Sequence, residues 1–237
     1  MINIYGILIS LSIFLCILVV LTLCRPDEKE TVWKIAPWII IGGVIGARVY
    51  HVISDFELYK NNLPAVFYIW NGGLGFWGGV FGGLVGAVFA LRKYRLERVY
   101  WVNMLSVVVP LGQAVGRWGN FFNGELYGTT SQLPWAFNTN GQKLHPVFLY
   151  ESILNLINFA VLYVLYKKST HIIQGRQIRG YFFTALYFVN YSVIRFLMEF
   201  FRPTHWLVGQ LNLSLAIPIL VFSVSLAYLI SKRRINL

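Results

Sequence analysis

Four residues able to hold a phosphate and manage a proton, Arg117, Asn120, Asn123 and Glu125, fall together in the stretch 112–128, GQAVGRWGNFFNGELYG, directly after an apolar run. Arginine offers a planar, permanently charged fork for phosphate oxygens, carboxamides offer donors and acceptors, and a carboxylate takes or gives a proton. Five glycines in the stretch let the backbone turn sharply or approach a ligand closely. A plainer reading is a polar, glycine-broken helix end that lines nothing. Ionisable residues set in apolar sequence mark function by default, so the other charges of this kind weigh on the choice.

Arg48 lies in IGARVYHV, Glu151 in HPVFLYES, and Arg195 and Glu199 in IRFLMEFFR, which ends at Arg202. A charge near a bilayer centre costs at least ~2.5–3.5 kcal/mol unless paired or wetted. Arg195 and Glu199 stand four apart, one helical turn, and are expected to neutralise each other. Arg48 and Glu151 have no local partner and must meet another helix or a lipid headgroup. Arg117 and Arg202 each sit beside glycine or aromatic clusters, and the pair suggests a shared anion site, although either alone could be a snorkelling interfacial residue. His145 opens the Glu151 segment and is the histidine next to these charges, whereas His51 and His205 read as interfacial. Gly72 and Gly73 could turn backbone N–H groups towards an anion. No HExxH, repeated acidic motif or cysteine–histidine spacing points to a metal, and neither a GxSxG elbow nor a Walker sequence is present. No cofactor is implied. The available groups suit displacement at a carbon that carries a phosphate leaving group, with arginines stabilising the departing charge.

The elements that must position these groups are membrane helices. Charged residues make up 12% of the chain, about half the ~25% of a soluble domain, and 57% is hydrophobic. The fold class expected is an all-α integral membrane protein, a single polytopic domain over 1–237. Windows of about 20 apolar residues recur at 5–23, 35–54, 72–91, 99–116, 146–166, 181–201 and 211–230, which predicts seven spans. The net charge of +11 does not argue for nucleic acid, because the basic residues lie in short runs between apolar segments. Arg25, Lys29 and Lys34, then Arg92, Lys93, Arg95 and Arg98, then Lys167, Lys168, Arg176 and Arg179, then Lys232, Arg233 and Arg234 occupy alternate loops and the C-terminus. The positive-inside bias therefore predicts an external N-terminus and a cytoplasmic C-terminus. It also makes 117–146 the longest external loop, with a small head at about 129–145 whose Asn140-Gly141 pair suits a hairpin. The N-terminal MINIYGILIS lacks a signal-peptide pattern and reads as a retained span. Cys16 and Cys24 are too few for a disulfide framework and read as small apolar residues. Gly75, Gly79 and Gly83, and likewise Gly78, Gly82 and Gly86, recur every four residues, making two adjoining small-residue faces for close helix packing.

The stretch GRWGNFFNGELYG at 116–128 resembles the signature of the bacterial prolipoprotein diacylglyceryl transferases. The similarity extends in order to YG at 5–6, GARVY at 46–50, IWNGGLGFWGG at 69–79, HPVFLYES at 145–152 and EFFR at 199–202. This resemblance implies an enzyme of the bacterial cytoplasmic membrane. It would move the diacylglyceryl group of phosphatidylglycerol onto the lipobox cysteine thiol of a prolipoprotein signal peptide, release glycerol phosphate, and so begin lipoprotein maturation. It implies Arg117 and Arg202 at the headgroup and the reaction, Asn120 and Glu125 ordering the site, Gly128 at a turn, and Tyr5 as a site phenol. His145, Tyr5 or Glu125 are the groups expected to assist the thiol, because many relatives carry a histidine where this chain has Trp77, and indole is no base. Asn123, Arg48, Gly72, Gly73, Glu151 and Glu199 complete the expected substrate-binding set. The competing readings are a weakened or inactive paralogue, or a transporter or binding protein for anionic lipid. An internal inverted repeat would favour transport, and the glycine-rich third segment has no later equal.

Overall fold

The computed structural model describes residues 4–124, 127–139, 141–172, 180–203 and 205–234. Among them are seven α-helices and two short hairpins. Five helices are long and apolar enough to cross a membrane: Ile4–Leu23, Pro26–Ser54, Arg98–Phe122, Val147–Ser169 and Leu213–Lys232. The other two predicted spans form helices of 18 residues, Phe76–Lys93 and Phe182–Glu199. Arg92 and Lys93 in the first and Arg195 and Glu199 in the second lower their apolar character. The backbone packs as two compact units, one of residues 24–98 and one of the remainder.

In the smaller unit, α2 (Lys29–Ser54) lies antiparallel to α3 (Phe76–Lys93) along a glycine seam. A methyl group on Gly78, Gly82 or Gly86 would overlap the carbonyl oxygen of Gly46, Gly42 or Trp38 respectively. Backbones this close require glycine throughout the α3 row and opposite it at Gly42 and Gly46, as the small-residue spacing anticipates. In the second glycine row Gly75 is tight against the Tyr50 ring, but Gly79 and Gly83 are looser. A methyl on Gly79 would meet the Ala47 Cβ at 3.6 Å, ordinary contact. One end of the pair is closed by Lys93, whose Nζ lies 4.4 Å from the Trp38 ring centroid, a cation–π contact.

The segment 55–75 folds back over the other end and is held by Arg48. Its Nε donates to the Val66 carbonyl and its Nη2 to that of Ala65, both at 2.7 Å, while Nη1 donates to Gly72 and Gly73 at 2.7 and 2.9 Å. The missing partner of Arg48 is therefore loop backbone. Gly72 and Gly73 both have positive φ (87° and 73°), which glycine adopts without a Cβ penalty. They present carbonyls to Arg48, and the Gly72 N–H goes to the Ile69 carbonyl at 3.2 Å.

In the larger unit, α4 (Arg98–Phe122) is the most enclosed helix, with Trp101, Met104 and Val107 wholly buried. Polar side chains fix its neighbours to it. From α1 (Ile4–Leu23), Ser12 donates to the Gly112 carbonyl at 3.2 Å. From α5 (Val147–Ile172), Ser152 donates to the Ala114 carbonyl at 2.9 Å. Asn103 caps the start of α6 (Phe182–Glu199), its Oδ1 accepting from the N–H groups of Phe183 and Thr184 at 3.0 and 3.2 Å. Gln113 reaches the Tyr187 hydroxyl at 3.0 Å, and Asn190 of α6 donates to Asn158 of α5 at 2.8 Å. Such buried bonds resist rotation of one helix against the next, because breaking one strands a polar group away from water. The last helix, α7 (Leu213–Arg234), lies along α6, and its Tyr228 hydroxyl accepts the Tyr181 N–H at 2.8 Å.

The expected hairpin forms from β1 (Phe137–Thr139) and β2 (Gln142–Leu144), paired antiparallel, with Gly141 at φ 80° in its turn. Asn140 lies outside the described residues. Phe148, itself buried, joins the hairpin to the helix ends through ring contacts with Phe137, Phe121 and Trp118. A second small hairpin, β3 (Leu207–Val208) with β4 (Leu211–Asn212), leads into α7.

Candidate functional site

The polar motif at 116–128 begins as helix, which corrects the expectation of a loop from Arg117 onwards. Helix α4 runs to Phe122, so Arg117 and Asn120 are three apart on one helical face. Gly119, on the same turn, is where α1 comes in. A methyl there would stand 2.7 Å from the Tyr5 ring, so the missing side chain is what lets the phenol lie against this turn. Asn123 is exposed just beyond the helix, and Gly124, at φ 71°, ends it in the manner of a left-handed C-terminal glycine. Glu125 lies outside the described residues.

Opposite this turn, α5 supplies Glu151, whose side chain is only 1% exposed, and three guanidinium groups converge on it. Arg117 Nε pairs with Oε2 from α4. Arg195 Nη1 lies 2.9 Å from Oε1, and Arg202 Nη2, just past α6, lies 3.4 Å from the same oxygen. Glu151 thus takes its partner from across the bundle, as its isolation in the sequence required. The arginine side chains keep 19%, 21% and 27% of their surface, so the carboxylate is sealed while the cations retain an open face. Three guanidinium groups share this one carboxylate, and Glu199 is a second carboxylate that acts on Arg202. Burial, then repulsion from Arg195, push the Arg202 pKa below the usual arginine value, with Glu151 opposing. Arg202 Nε is buried without a hydrogen-bond partner among the described residues.

The expected Arg195–Glu199 pair does not form. Arg195 turns to Glu151. Glu199, 1% exposed, instead faces the ring of His205, with Oε1 2.7 Å from Nδ1. His205 is therefore a partner of the site and not a bare interfacial residue. Its signal in the sequence is faint, because it stands six positions beyond Glu199 and outside the helix. Arg195 and Glu199 lie one turn apart on α6, and Arg202 stands three positions further on, just past the helix. That spacing was the clue that Arg195 belongs beside Arg202.

His145 and Gly128 lie where the loop after α4 returns to the bundle. The Gly128 N–H donates to the His145 carbonyl at 2.8 Å, and Thr129 N–H to the Phe201 carbonyl at 2.8 Å. A methyl on Gly128 would come within 2.5 Å of the Phe201 oxygen. Its φ is not positive, so close approach and not a turn is what demands glycine there. The Tyr150 hydroxyl links two neighbours, accepting from Trp135 Nε1 at 2.9 Å and meeting His145 Nδ1 at 3.2 Å. Arg48, Gly72 and Gly73 belong to the other unit and engage one another there.

These features define a helical protein of membrane character with three arginines gathered on one buried carboxylate at the ends of three packed helices. Residues 1–231 match the family model described as prolipoprotein diacylglyceryl transferase, and the chain belongs to that family. Among similar curated proteins is the phosphatidylglycerol–prolipoprotein diacylglyceryl transferase of Finegoldia magna, 33% identical over 92% of this chain and 86% of its own. Proteins of the same description from Prochlorococcus marinus (32%; 87% and 77% covered) and Streptomyces griseus (35%; 90% and 66% covered) are also similar.

Proposed function

We propose that this transferase moves the diacylglyceryl group of phosphatidylglycerol onto the thiol of a lipobox cysteine in a prolipoprotein signal peptide, forming a thioether and releasing glycerol phosphate. The observation that carries the reading is the meeting of Arg117, Arg195 and Arg202 on the single sealed carboxylate of Glu151. The open faces of the guanidinium groups suit a phosphodiester, and charge that builds on the leaving phosphate in the transition state is stabilised by donors already in place. Glu151 keeps three like charges together until the lipid arrives. In this reading Tyr5, Asn120, Asn123, Glu125 and Gly128 shape the headgroup site, and Arg48, Gly72 and Gly73 order the loop of the smaller unit. His145 stands at the edge of that site, where its Nδ1 meets the Tyr150 hydroxyl.

The finer topology proposed is seven spans in the bacterial cytoplasmic membrane, N-terminus outside and C-terminus inside, with the β1–β2 hairpin on the outer face. The alternation of lysine and arginine along the chain supports it. Purified protein mixed with phosphatidylglycerol and a lipobox peptide is expected to yield diacylglyceryl peptide and glycerol phosphate, read by mass spectrometry. Full turnover in Arg117→Ala or Arg202→Ala would remove these residues from the site, and binding without product would favour a lipid-binding protein.

A further inference from the structure

The transfer reaction needs a thiolate, and a free cysteine thiol, with a pKa of about 8.5, is mostly protonated at neutral pH. Two described imidazoles of the larger unit have a partner at Nδ1, a hydroxyl at His145 and a carboxylate at His205. At His145, Nδ1 meets the Tyr150 hydroxyl at 3.2 Å, and that hydroxyl also accepts from Trp135 Nε1.

At His205 the partner of Nδ1 is a carboxylate oxygen at 2.7 Å, which can only accept. Nδ1 must donate, and the lone pair of the neutral ring falls on Nε2. Glu199 is buried and fixed at the end of α6, while the His205 side chain keeps 41% of its surface. A sealed carboxylate thus orients a half-open imidazole, the role the acidic member plays in hydrolase triads. The backbone places this dyad beside the anion site, the Arg202 N–H donating to the Glu199 carbonyl at 3.2 Å.

We infer that His205, oriented by Glu199, is the general base that deprotonates the lipobox thiol, an inference that rests on the transferase reading above. In the step, the cysteine S–H proton passes to His205 Nε2. The sulfur electron pair forms the C–S bond to the glyceryl methylene, and the C–O bond to phosphate breaks with its electrons onto the phosphate oxygen held by the arginines. The imidazolium then returns its proton to the released glycerol phosphate.

The test compares wild type, His205→Ala and His205→Gln, each confirmed folded by thermal unfolding in detergent, in transfer to a lipobox peptide from phosphatidylglycerol vesicles. Loss of a general base is expected to lower turnover by about 10²-fold, with KM for the lipid unchanged. Added imidazole should restore part of the rate in His205→Ala, and a selenocysteine peptide, ionised at neutral pH without help, should react nearly as well with the variants as with wild type. Turnover within twofold of wild type in either variant overturns the assignment, as does a loss that imidazole and the selenocysteine peptide both leave unrepaired. Inactivity of wild type itself would instead sink the transferase reading, and the base with it.

Discussion

At the scale of single residues, Glu151 holds the site together through a balance that is easily upset. Removing one partner of a buried ion pair costs ~3–5 kcal/mol, because the other charge is left without compensation, and here three guanidinium groups would be left facing one another. Glu151→Gln is therefore expected to lower the unfolding temperature in detergent sharply. Inorganic phosphate or phosphatidylglycerol should recover part of the loss, since an anion can take the place of the carboxylate. An unchanged melting curve, or one insensitive to phosphate, would show that the arginines do not seek an anion. Arg195→Lys keeps the charge but loses the fork that reaches Glu151. It is expected to raise KM for the lipid at least about tenfold by the loss of one charge-assisted bond, measurable in the same transfer assay. The arginines and Glu151 were legible in the sequence as charges that apolar surroundings make costly. The pairing was not, because Arg195 had a carboxylate one turn away, and only the rotation of α5 against α6 decides that Glu151 wins.

Among the elements, glycine spacing does different work in two places. Along the α2–α3 seam the Gly78–Gly82–Gly86 row meets backbone, while Gly79 and Gly83 meet ordinary contact distances. Gly82→Ala should then destabilise by about 1–3 kcal/mol, the cost of overpacking, while Gly79→Ala should be neutral or slightly stabilising because it lowers the entropy of the unfolded helix. Thermal unfolding of the two variants side by side checks this, and equal effects would refute the seam. At the α1–α4 contact the consequence is chemical. Gly119→Ala must displace the Tyr5 ring, so turnover is expected to fall about tenfold or more, in line with the sensitivity of positioning to small shifts, while the fold persists. The repeat of glycines in α3 was plain from the sequence, and its partner row in α2, at Gly42 and Gly46, was visible only as separate letters. Arg48 was harder still. Its partners are main-chain carbonyls, which leave no trace in residue type, so a headgroup was as good a guess as a loop.

For the whole molecule, the helical membrane character was evident from composition, since a chain so poor in charge cannot cover itself with polar surface. Within the larger unit, the β1–β2 hairpin lies inside the sparsely basic 117–146 stretch, whereas α7 runs into Lys232, Arg233 and Arg234. If lysine and arginine mark the cytoplasmic side, a thiol at Gly141 faces the exterior and a thiol at Ser231 the cytoplasm. Both positions are exposed. The native cysteines should add little background, because Cys24 is buried and its pKa is raised first by that burial and next by Glu28, and thiols react as thiolates. In intact cells a membrane-impermeant maleimide is expected to label Gly141→Cys, and to label Ser231→Cys only after permeabilisation. The reverse pattern would invert the protein in the membrane and turn the arginine cluster away from the leaflet where secreted precursors emerge, leaving the transfer reaction without its second substrate.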